Sequence, residues 1–230
     1  MTTTQTSTKI SKETLEVLKN FASINSNILV KSGNVLTTIS PVKNVMAKAT
    51  VNESFDTEFG IWDLNKFLGT ISLFDSPNFE FHDKSVRISN GSSEVVYYYS
   101  EPKLLTTPTK EITMPDGVLN FTLKESDLQE LQKAASVMQL PDMVVRSSGG
   151  SVMLAVLDKK DSTSNTYSLE VGDLPHGEHE FEFYFKVENL KMLPGDYNVT
   201  ISEKMISQLI NTKDDVTYWI ALETDSTYTE

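Results

Sequence analysis

SKETLEVLKNFASI at residues 11–24 and ESDLQELQKAASVM at residues 125–138 decide the fold, because the second stretch repeats the pattern of the first. In both stretches apolar residues recur at helical spacing and polar residues fill the opposite side, which predicts two amphipathic helices. The corresponding apolar positions, each pair 113 residues apart, are Leu15 and Leu128, Leu18 and Leu131, and Ala22 and Ala135. This correspondence indicates an internal duplication.

The elements after each helix follow the same order. Both copies continue with a β-hairpin pattern whose turn contains glycine, at 27–40 and at 145–158. A short helical pattern, DLNKFLG at 63–69, is expected to begin at its aspartate cap and end at its glycine, and it returns around 189–195. The offset between the copies drifts from 113 to 126 residues across predicted loops, where insertions are tolerated. We predict an α+β protein of two similar domains, each with many strands and two helices.

A proline-rich segment separates the two copies. Residues 101–117, EPKLLTTPTKEITMPDG, contain three prolines and neither a helical nor a strand period, which is typical of an extended connector. The chain of 230 residues is long enough for two ordinary domains. We predict an N-terminal domain at 1–100, an interdomain connector at 101–117 and a C-terminal domain at 118–230.

The net charge of the chain, −12, is concentrated in its second half. Residues 1–115 carry 11 Lys and Arg against 12 Asp and Glu, whereas residues 116–230 carry 9 against 20. Proteins that bind duplex DNA by contact usually present a basic surface, because neutralised phosphates supply most of their affinity. Composition therefore argues against an ordinary DNA binder, although a protein that holds DNA topologically is not subject to this argument.

Several kinds of catalytic and metal site are disfavoured by the residues. The chain has no cysteine, so disulfides, thiolate metal sites and cysteine nucleophiles are ruled out. His176, Glu178 and His179 are close in sequence, but Pro175 and Gly177 predict a loop rather than the helix of a zinc-protease motif. Neither a phosphate-binding G-x-x-x-x-G-K-S/T loop nor a G-x-S-x-G nucleophile motif occurs. We predict no catalytic residue, no metal and no cofactor, hence a protein that is not an enzyme.

The N-terminal residues, MTTTQTSTKISKE, lack the apolar core of a signal peptide. No apolar run is long enough to cross a bilayer. We expect a soluble, intracellular protein with no membrane partner, and we attach no function to residues 1–9.

Two strand patterns are apolar and carry one charge each, which makes them poor solvent edges. They are EVVYYYS at 94–100 and TYSLEVG at 166–172. The patterns leave open whether these strands are internal or lie at sheet edges, which would need a partner. If they are edges, pairing the first domain of one subunit with the second domain of the next is a heterologous contact that can close into a ring. The candidate interface residues are Val95, Val96, Tyr97, Tyr98 and Tyr99, facing Tyr167, Ser168, Leu169, Glu170 and Val171 of a neighbour.

Lysine and amide side chains recur on the polar faces and at the entrances of the predicted helices. Such side chains can contact phosphates without reading the base sequence. An ordinary solvated helix face has a similar composition, however. The candidate DNA-facing residues are Lys9, Lys12, Lys19, Lys66, Lys124, Gln129, Gln132, Lys133 and Lys191.

The sequence resembles a known family, the sliding clamps (DNA polymerase processivity factors) of T-even-type bacteriophages, from about Ile10 to Thr227. DLNKFLG and MLPGDY, at 192–197, are the most specific segments, because generic amphipathic patterning does not produce them. The segments that carry the resemblance are KNFASINSNILVKSG at 19–33, DLNKFLGTISL at 63–73, DLQELQKAASVMQL at 127–140, NLKMLPGDYNV at 189–199 and YWIALETDST at 218–227.

The resemblance implies a homotrimeric ring of two clamp-type domains per subunit, with helices lining the hole and sheets on the outside. It implies that duplex DNA is held without sequence preference, that an ATP-dependent clamp loader places the ring, and that the phage DNA polymerase binds through a C-terminal apolar peptide. It further implies a platform for a sigma-like late-transcription factor and its coactivator, and a location in the cytoplasm of the bacterial host. The alternative is a non-catalytic, β-rich structural or interaction protein of a virion, which acidity and strand content also fit.

An apolar peptide needs an exposed apolar cleft as its receptor. By analogy with other clamps, the candidate pocket combines the connector, the first domain and the last strand. Its residues are Pro41, Val42, Leu104, Leu105, Met114, Ala221 and Leu222. The same residues could instead serve to bury the connector.

Overall fold

The computed structural model of the protein describes residues 8–174 and 179–229, and its elements follow the duplicated order. The chain divides into two compact units, Met1–Lys110 and Glu111–Glu230, so the division falls inside the predicted connector. The first unit contains the helices α1 (Lys12–Ile24) and α2 (Leu64–Ile71). Its strands are β1 (Ile28–Val30), β2 (Gly33–Ile39), β3 (Val45–Phe55), β4 (Phe59–Ile61), β5 (Asn78–Phe81), β6 (Ser85–Asn90) and β7 (Ser93–Tyr98).

Helix α1 forms where its sequence supplies a cap and an apolar stripe. The Oγ of Ser11 accepts a hydrogen bond from the backbone N–H of Thr14 at 3.2 Å, so Ser11 is the N-cap. Val17, Leu18 and Phe21 are buried, and each Leu or Phe side chain buried in this way contributes about 1.5–3 kcal/mol. The helix ends at Ile24.

Helix α2 begins as predicted but runs further. Asp63 caps it by accepting a hydrogen bond from the backbone N–H of Lys66 at 2.9 Å. The prediction that the helix ends at Gly69 is wrong, because the helix continues to Ile71. Ile71 is buried, and that apolar contact outweighs the cost of a glycine inside a helix, about 1 kcal/mol.

The strands of the first unit pair antiparallel. The prediction of a hairpin at 27–40 is wrong. β1 pairs with β4 and β2 pairs with β3, instead of β1 with β2. β5, β6 and β7 form a meander in that order. Edge-to-face and tilted aromatic contacts join Phe55, Phe59 and Phe81 in the core, with ring centroids 5.2–5.7 Å apart.

The second unit contains one α-helix among its described residues, α3 (Glu125–Met138), at the bounds that the sequence predicts. One sheet has the order β11-β10-β9-β12-β16, and a second run of pairings joins β8 to β13, β13 to β14 and β14 to β15. The strands are β8 (Leu119–Leu123), β9 (Asp142–Ser148), β10 (Ser151–Leu157), β11 (Tyr167–Asp173), β12 (Glu180–Lys186), β13 (Tyr197–Ser202), β14 (Ile206–Asn211), β15 (Val216–Ala221) and β16 (Thr227–Thr229).

The hairpin predicted in the second copy is confirmed. β9 and β10 pair antiparallel, with Ser148 opposite Ser151. The turn between them consists of Gly149 and Gly150, whose φ angles of 58° and 87° lie in the region that glycine occupies without steric cost.

The prediction of a second short helix around 189–195 is wrong. A single 3-10 turn, Val187–Asn189, stands in its place. Both backbone polar groups of Leu193 are bonded to side chains, since its N–H donates to the hydroxyl of Tyr218 and its carbonyl accepts from that of Tyr197. Pro194 also disfavours helical geometry in the residue before it. None of the helices in the described part of the chain has the length and apolarity needed to span a bilayer.

Candidate functional site

The exposed face of α1 carries as many acidic as basic side chains. Lys12 and Lys19 are exposed there, as predicted, and so are Glu13 and Glu16. Lys19 Nζ lies 3.0 Å from a carboxylate oxygen of Glu16, an exposed pair of the kind that contributes less than about 1 kcal/mol. The face can reach an anion through its lysines, but it is not a basic patch.

The exposed face of α3 is acidic. Lys133 is the one lysine of the helix and is exposed, as is Glu130, whereas the carboxylates Glu125 and Asp127 are half-buried. Gln129 is exposed, and its amide donates to Glu125 Oε1 at 2.8 Å. An amide held by a neighbouring carboxylate is poorly placed to bind a phosphate.

Gln132 requires a correction, because its side chain is not free on the polar face. Its Nε2 donates to the carbonyl oxygen of Leu190 at 2.8 Å, and the residue is half-buried. Gln132 therefore joins α3 to the segment after β12, a structural role rather than one facing DNA.

The remaining lysines of the predicted DNA-facing set lie outside the exposed faces of α1 and α3. Lys66 of α2 is exposed and lies 3.5 Å from Asp63, whose pKa is held below its ordinary value first by the hydrogen bond from the Lys66 backbone N–H. Lys9 and Lys124 are exposed and precede α1 and α3. Lys191 is exposed on the irregular segment after the 3-10 turn, not on a helix as predicted.

Strand β7 lies at the edge of its three-stranded sheet, with β6 as its strand neighbour among the described residues. Its side chains alternate: Val96 and Tyr98 are exposed, by 44% and 74%, whereas Val95 and Tyr97 are half-buried. The Tyr97 ring lies 5.0 Å from that of Phe67 on α2. The sequence left open whether this strand is internal or lies at a sheet edge, and the structure places it at an edge.

Two of the predicted interface tyrosines face inward. Tyr97 donates to the carbonyl of Asp63 at 3.3 Å, and the Tyr99 ring stacks on Phe59 at 5.1 Å. Burial raises the pKa of both tyrosines, so both hydroxyls stay protonated at neutral pH. Their side chains stabilise their own unit, and Val96 and Tyr98 are the ones that face outward.

Strand β11 lies at the edge of the five-stranded sheet, with β10 as its strand neighbour in the described part of the chain. Ser168 and Glu170 are exposed, while Tyr167, Leu169 and Val171 are half-buried. The Tyr167 hydroxyl bonds to Glu130 of α3, and Ser151 Oγ donates to Glu170 at 2.8 Å. β7 and β11 are thus edge strands whose backbone groups can receive a further strand.

The candidate pocket residues differ in exposure. In the first unit, Pro41, Val42 and Leu104 are exposed, with Val42 at 77% and Leu104 at 57%, and Leu105 is half-buried. In the second unit, Met114 and Ala221 are half-buried. Leu222 requires a correction, because it is buried and its side chain is not available to a partner.

Sequence reasoning missed two polar residues beside the connector. Asn25 and Asn27 follow α1, and their side-chain amides bond to the backbone of Thr106. No periodic pattern marks such residues, and the remaining signal is their position directly after a helix.

No group of three or more His, Asp or Glu side chains is arranged to hold a metal ion within residues 8–174 and 179–229. His176 and Glu178 lie outside the described residues. His179 is described, and its ring stacks on that of Tyr228 with centroids 5.9 Å apart.

Two family models together match most of the chain. The model described as "DNA polymerase processivity factor" matches residues 11–114, and the model described as "gp45 sliding clamp, C terminal" matches residues 120–224. The interval between the two matches, 115–119, overlaps the end of the predicted connector, 101–117.

Relatives and solved structures agree with these matches. The sliding clamp of Vibrio phage KVP40 is 33% identical over 94% of this chain and 99% of its own length. The sliding clamp of Enterobacteria phage T4 is 31% identical over 96% of this chain and 99% of its own length. The Helicobacter pylori beta clamp bound to a DNA ligase peptide is 14% identical, with a TM-score of 0.72 over 95% of this chain, which spans 65% of that one. This likeness confirms the predicted α+β fold class.

Proposed function

This chain belongs to the bacteriophage sliding clamp family, and from that premise we propose that three copies close into a ring that holds duplex DNA and tethers the phage DNA polymerase to it. The observation that carries the ring is the pair of edge strands, β7 in one unit and β11 in the other. Because the two edges differ, their pairing between subunits is heterologous, and such contacts close when the rotation per subunit allows. The number three rests on the resemblance to T-even-type clamps.

The exposed side chains support the choice of β7 as an interface. Val96 and Tyr98 are large, apolar or aromatic, and lie on a strand whose outer edge has no strand neighbour among the described residues. A strand of this kind exposed to solvent would be prone to unspecific pairing, and a defined partner removes that hazard. The proposed partner strand, β11, exposes Ser168 and Glu170.

Retention on DNA follows from closure rather than from contact energy. The helix faces present lysines beside carboxylates, and the chain carries a net charge of −12. Such a surface attracts phosphate weakly and without sequence preference. A closed ring needs no stronger contact, because it leaves a DNA circle only when a subunit interface opens.

The partners proposed beyond DNA follow from the family and from the exposed apolar residues. A polymerase C-terminal peptide of apolar character would bind at the surface that Val42 and Leu104 help to form. Placing a closed ring on DNA requires opening it, and the chain has no phosphate-binding loop of its own, which supports an ATP-dependent loader as a partner. A late-transcription role, with a sigma-like factor and a coactivator, and a location in the host cytoplasm rest on the resemblance.

The prediction that the chain is not an enzyme is confirmed by the family, whose curated relatives are clamps. The alternative of a virion structural protein is not proposed, because it has no support beyond acidity and strand content. Two measurements test the proposal. Sedimentation velocity over a concentration series is expected to give a trimer, and primer extension on a singly primed circle is expected to give longer products when clamp, loader and polymerase are combined. A monomer at every concentration, or product lengths that do not depend on the clamp, would contradict it.

A further inference from the structure

Both backbone polar groups of Thr106, in the connector, are bonded to asparagine side chains. The N–H of Thr106 donates to Asn27 Oδ1 at 3.0 Å, and its carbonyl oxygen accepts from Asn25 Nδ2 at 3.0 Å. Thr106 is thus paired as a strand residue would be, but with two side chains in place of a neighbouring strand. Asn25, Asn27 and Thr106 are called the asparagine bridge below.

Asn25 joins the connector to two further elements of the first unit. Its Nδ2 also donates to the carbonyl of Ile39, the last residue of β2, at 2.9 Å. Its backbone N–H donates to the carbonyl of Phe21 at 2.9 Å and so closes the last turn of α1. Asn25 is 3% exposed, and both donors of its amide are used.

A further hydrogen bond within the asparagine bridge and the glycine at position 60 reinforce it. The backbone N–H of Asn27 donates to Asn25 Oδ1 at 3.2 Å, which orients the amide. Gly60 of β4 pairs with Ser100, and a Cβ added at Gly60 would stand 2.6 Å from Leu105 Cδ1. The same Cβ would stand 2.7 Å from the backbone carbonyl oxygen of Ser100, so only glycine allows this close approach.

The two backbone segments that Asn25 holds carry the exposed apolar residues of the candidate pocket. Ile39 leads directly into the turn that contains Pro41 and Val42, and Thr106 follows Leu104 and Leu105. Resting on the function proposed above, we propose that Asn25 and Asn27 are positioning residues, which hold the turn and the connector at the separation that an apolar partner peptide requires. They act through the backbone and need not touch the peptide.

The physical reason is the entropy of the connector. A proline-rich segment without sheet neighbours loses conformational freedom when a ligand orders it, and that loss reduces affinity. The asparagine bridge orders the segment before binding, so the peptide meets a preformed surface. Removing one bond of the bridge is expected to lower peptide affinity by up to about tenfold, the equivalent of one hydrogen bond.

The test compares Asn27→Ala with Asn27→Asp in the full-length protein. Alanine removes the acceptor for the Thr106 N–H, whereas aspartate retains one, so Asn27→Asp is the matched control. Asn27 is half-buried, which makes it a safer site than Asn25. The readouts are hydrogen exchange of the Thr106 amide, trypsin cleavage after the exposed Lys103, affinity for a synthetic peptide with the C-terminal sequence of the polymerase encoded by the same phage, and sedimentation.

Asn27→Ala is expected to speed hydrogen exchange of the Thr106 amide and trypsin cleavage after Lys103. Its affinity for the peptide is expected to fall about five- to tenfold, and its sedimentation is expected to match that of the wild type. Asn27→Asp is expected to match the wild type in all four measurements. Unchanged exchange in Asn27→Ala, or faster exchange with unchanged peptide affinity, overturns the positioning role while the proposed function stands. If the wild-type protein does not bind the peptide at all, the peptide part of the proposed function fails and the positioning role falls with it.

Discussion

The carboxylate of Glu53, on β3, accepts a hydrogen bond from the hydroxyl of Thr14, a buried residue in the first turn of α1. The same carboxylate accepts from the backbone N–H of Ser11. The start of the helix is therefore fixed to the strand beneath it by a charged acceptor, and hydrogen bonds to ionised groups are stronger than those between neutral groups.

Thr14→Val is expected to destabilise the protein by about 1.5 kcal/mol, because valine keeps the volume of the side chain and removes the donor to an ionised group. Thr14→Ser keeps the hydroxyl and is expected to retain most of the stability. The measurement is the free energy of unfolding from urea titrations at one fixed protein concentration, since the unfolding of an oligomer depends on concentration. A Thr14→Val protein as stable as the wild type would show that the bond contributes nothing.

The same bond predicts a pH dependence. Burial alone would raise the pKa of Glu53, but hydrogen bonds from Thr14 and Ser11 outweigh burial and hold the pKa below its ordinary value of 4.5. A carboxyl group whose pKa is lowered by folding stabilises the folded state fully above its unfolded pKa, and that contribution is lost as the pH falls through the folded pKa. The stability difference between Thr14→Val and wild type is therefore expected to be largest at neutral pH and to shrink below pH 4.5. A difference that stays constant into acid would contradict this assignment.

Val96→Glu is expected to convert the proposed trimer into monomers, because it places an ionised carboxylate at the apolar outer edge of β7. Ile210→Glu is the matched control. Its exposure, 43%, is close to that of Val96, 44%, but β14 has strand neighbours on both sides. Sedimentation velocity measures the effect: a Val96→Glu protein that stays trimeric, or an Ile210→Glu protein that dissociates equally, rules out β7 as the interface.

The long amphipathic elements could be predicted from the sequence almost to the residue. α1 and α3 were expected at 11–24 and 125–138 and lie at Lys12–Ile24 and Glu125–Met138. Their apolar residues repeat over three turns or more, and such a repeat is the strongest local signal in a sequence. The segment at 189–195 is shorter, and there the hydrogen bonds of Leu193 with the hydroxyls of the nearby Tyr197 and the distant Tyr218 decide the conformation instead.

The candidate site was less predictable, because its polar contacts join residues far apart in the chain. Asn25 and Asn27 reach Thr106 across about 80 positions, and Glu53 reaches Thr14 across 39. No periodic pattern in the sequence indicates such long-range contacts. The sequence prediction placed all five residues 95–99 at the interface, and only the structure shows that the side chains of β7 alternate, with Tyr97 packed inward on Phe67.

Leu104→Ala is expected to weaken binding of the polymerase peptide about tenfold, since it removes an exposed apolar side chain of the kind that a peptide buries. Leu73→Ala is the control, because Leu73 is also exposed, at 73%, in the same unit but follows α2. Fluorescence anisotropy with a labelled peptide gives both affinities, and sedimentation checks that the ring survives. Equal losses of peptide affinity in the two variants would indicate unspecific apolar binding. Unchanged affinity in Leu104→Ala would indicate that the peptide binds another surface.

Retention of the protein on DNA is expected to depend on whether the DNA is circular. Loader-placed protein is expected to stay on a nicked circle at salt concentrations that abolish ordinary phosphate binding, and to be released when the circle is linearised. An electrostatic binder that makes several phosphate contacts loses about a thousandfold or more in affinity between 50 and 200 mM salt, whereas a closed ring leaves a circle only by opening. Lys12→Ala and Lys19→Ala are expected to slow loading more than they shorten residence on circles, because weak contacts guide DNA during placement.

Lys204→Ala is the matched control for Lys19→Ala. Each lysine is exposed and paired with a neighbouring glutamate, at 2.7 Å for Lys204 and 3.0 Å for Lys19, so the change in charge is the same. Lys204 follows β13 and belongs to no helix, so its loss is expected to leave loading unchanged. Gel filtration of labelled protein on nicked circles, with and without linearisation and across a salt series, measures retention. Equal retention on linear and circular DNA, with a steep loss in salt on both, would identify an ordinary electrostatic binder, because ends are irrelevant to a protein that binds by contact and decisive for one that binds by encirclement.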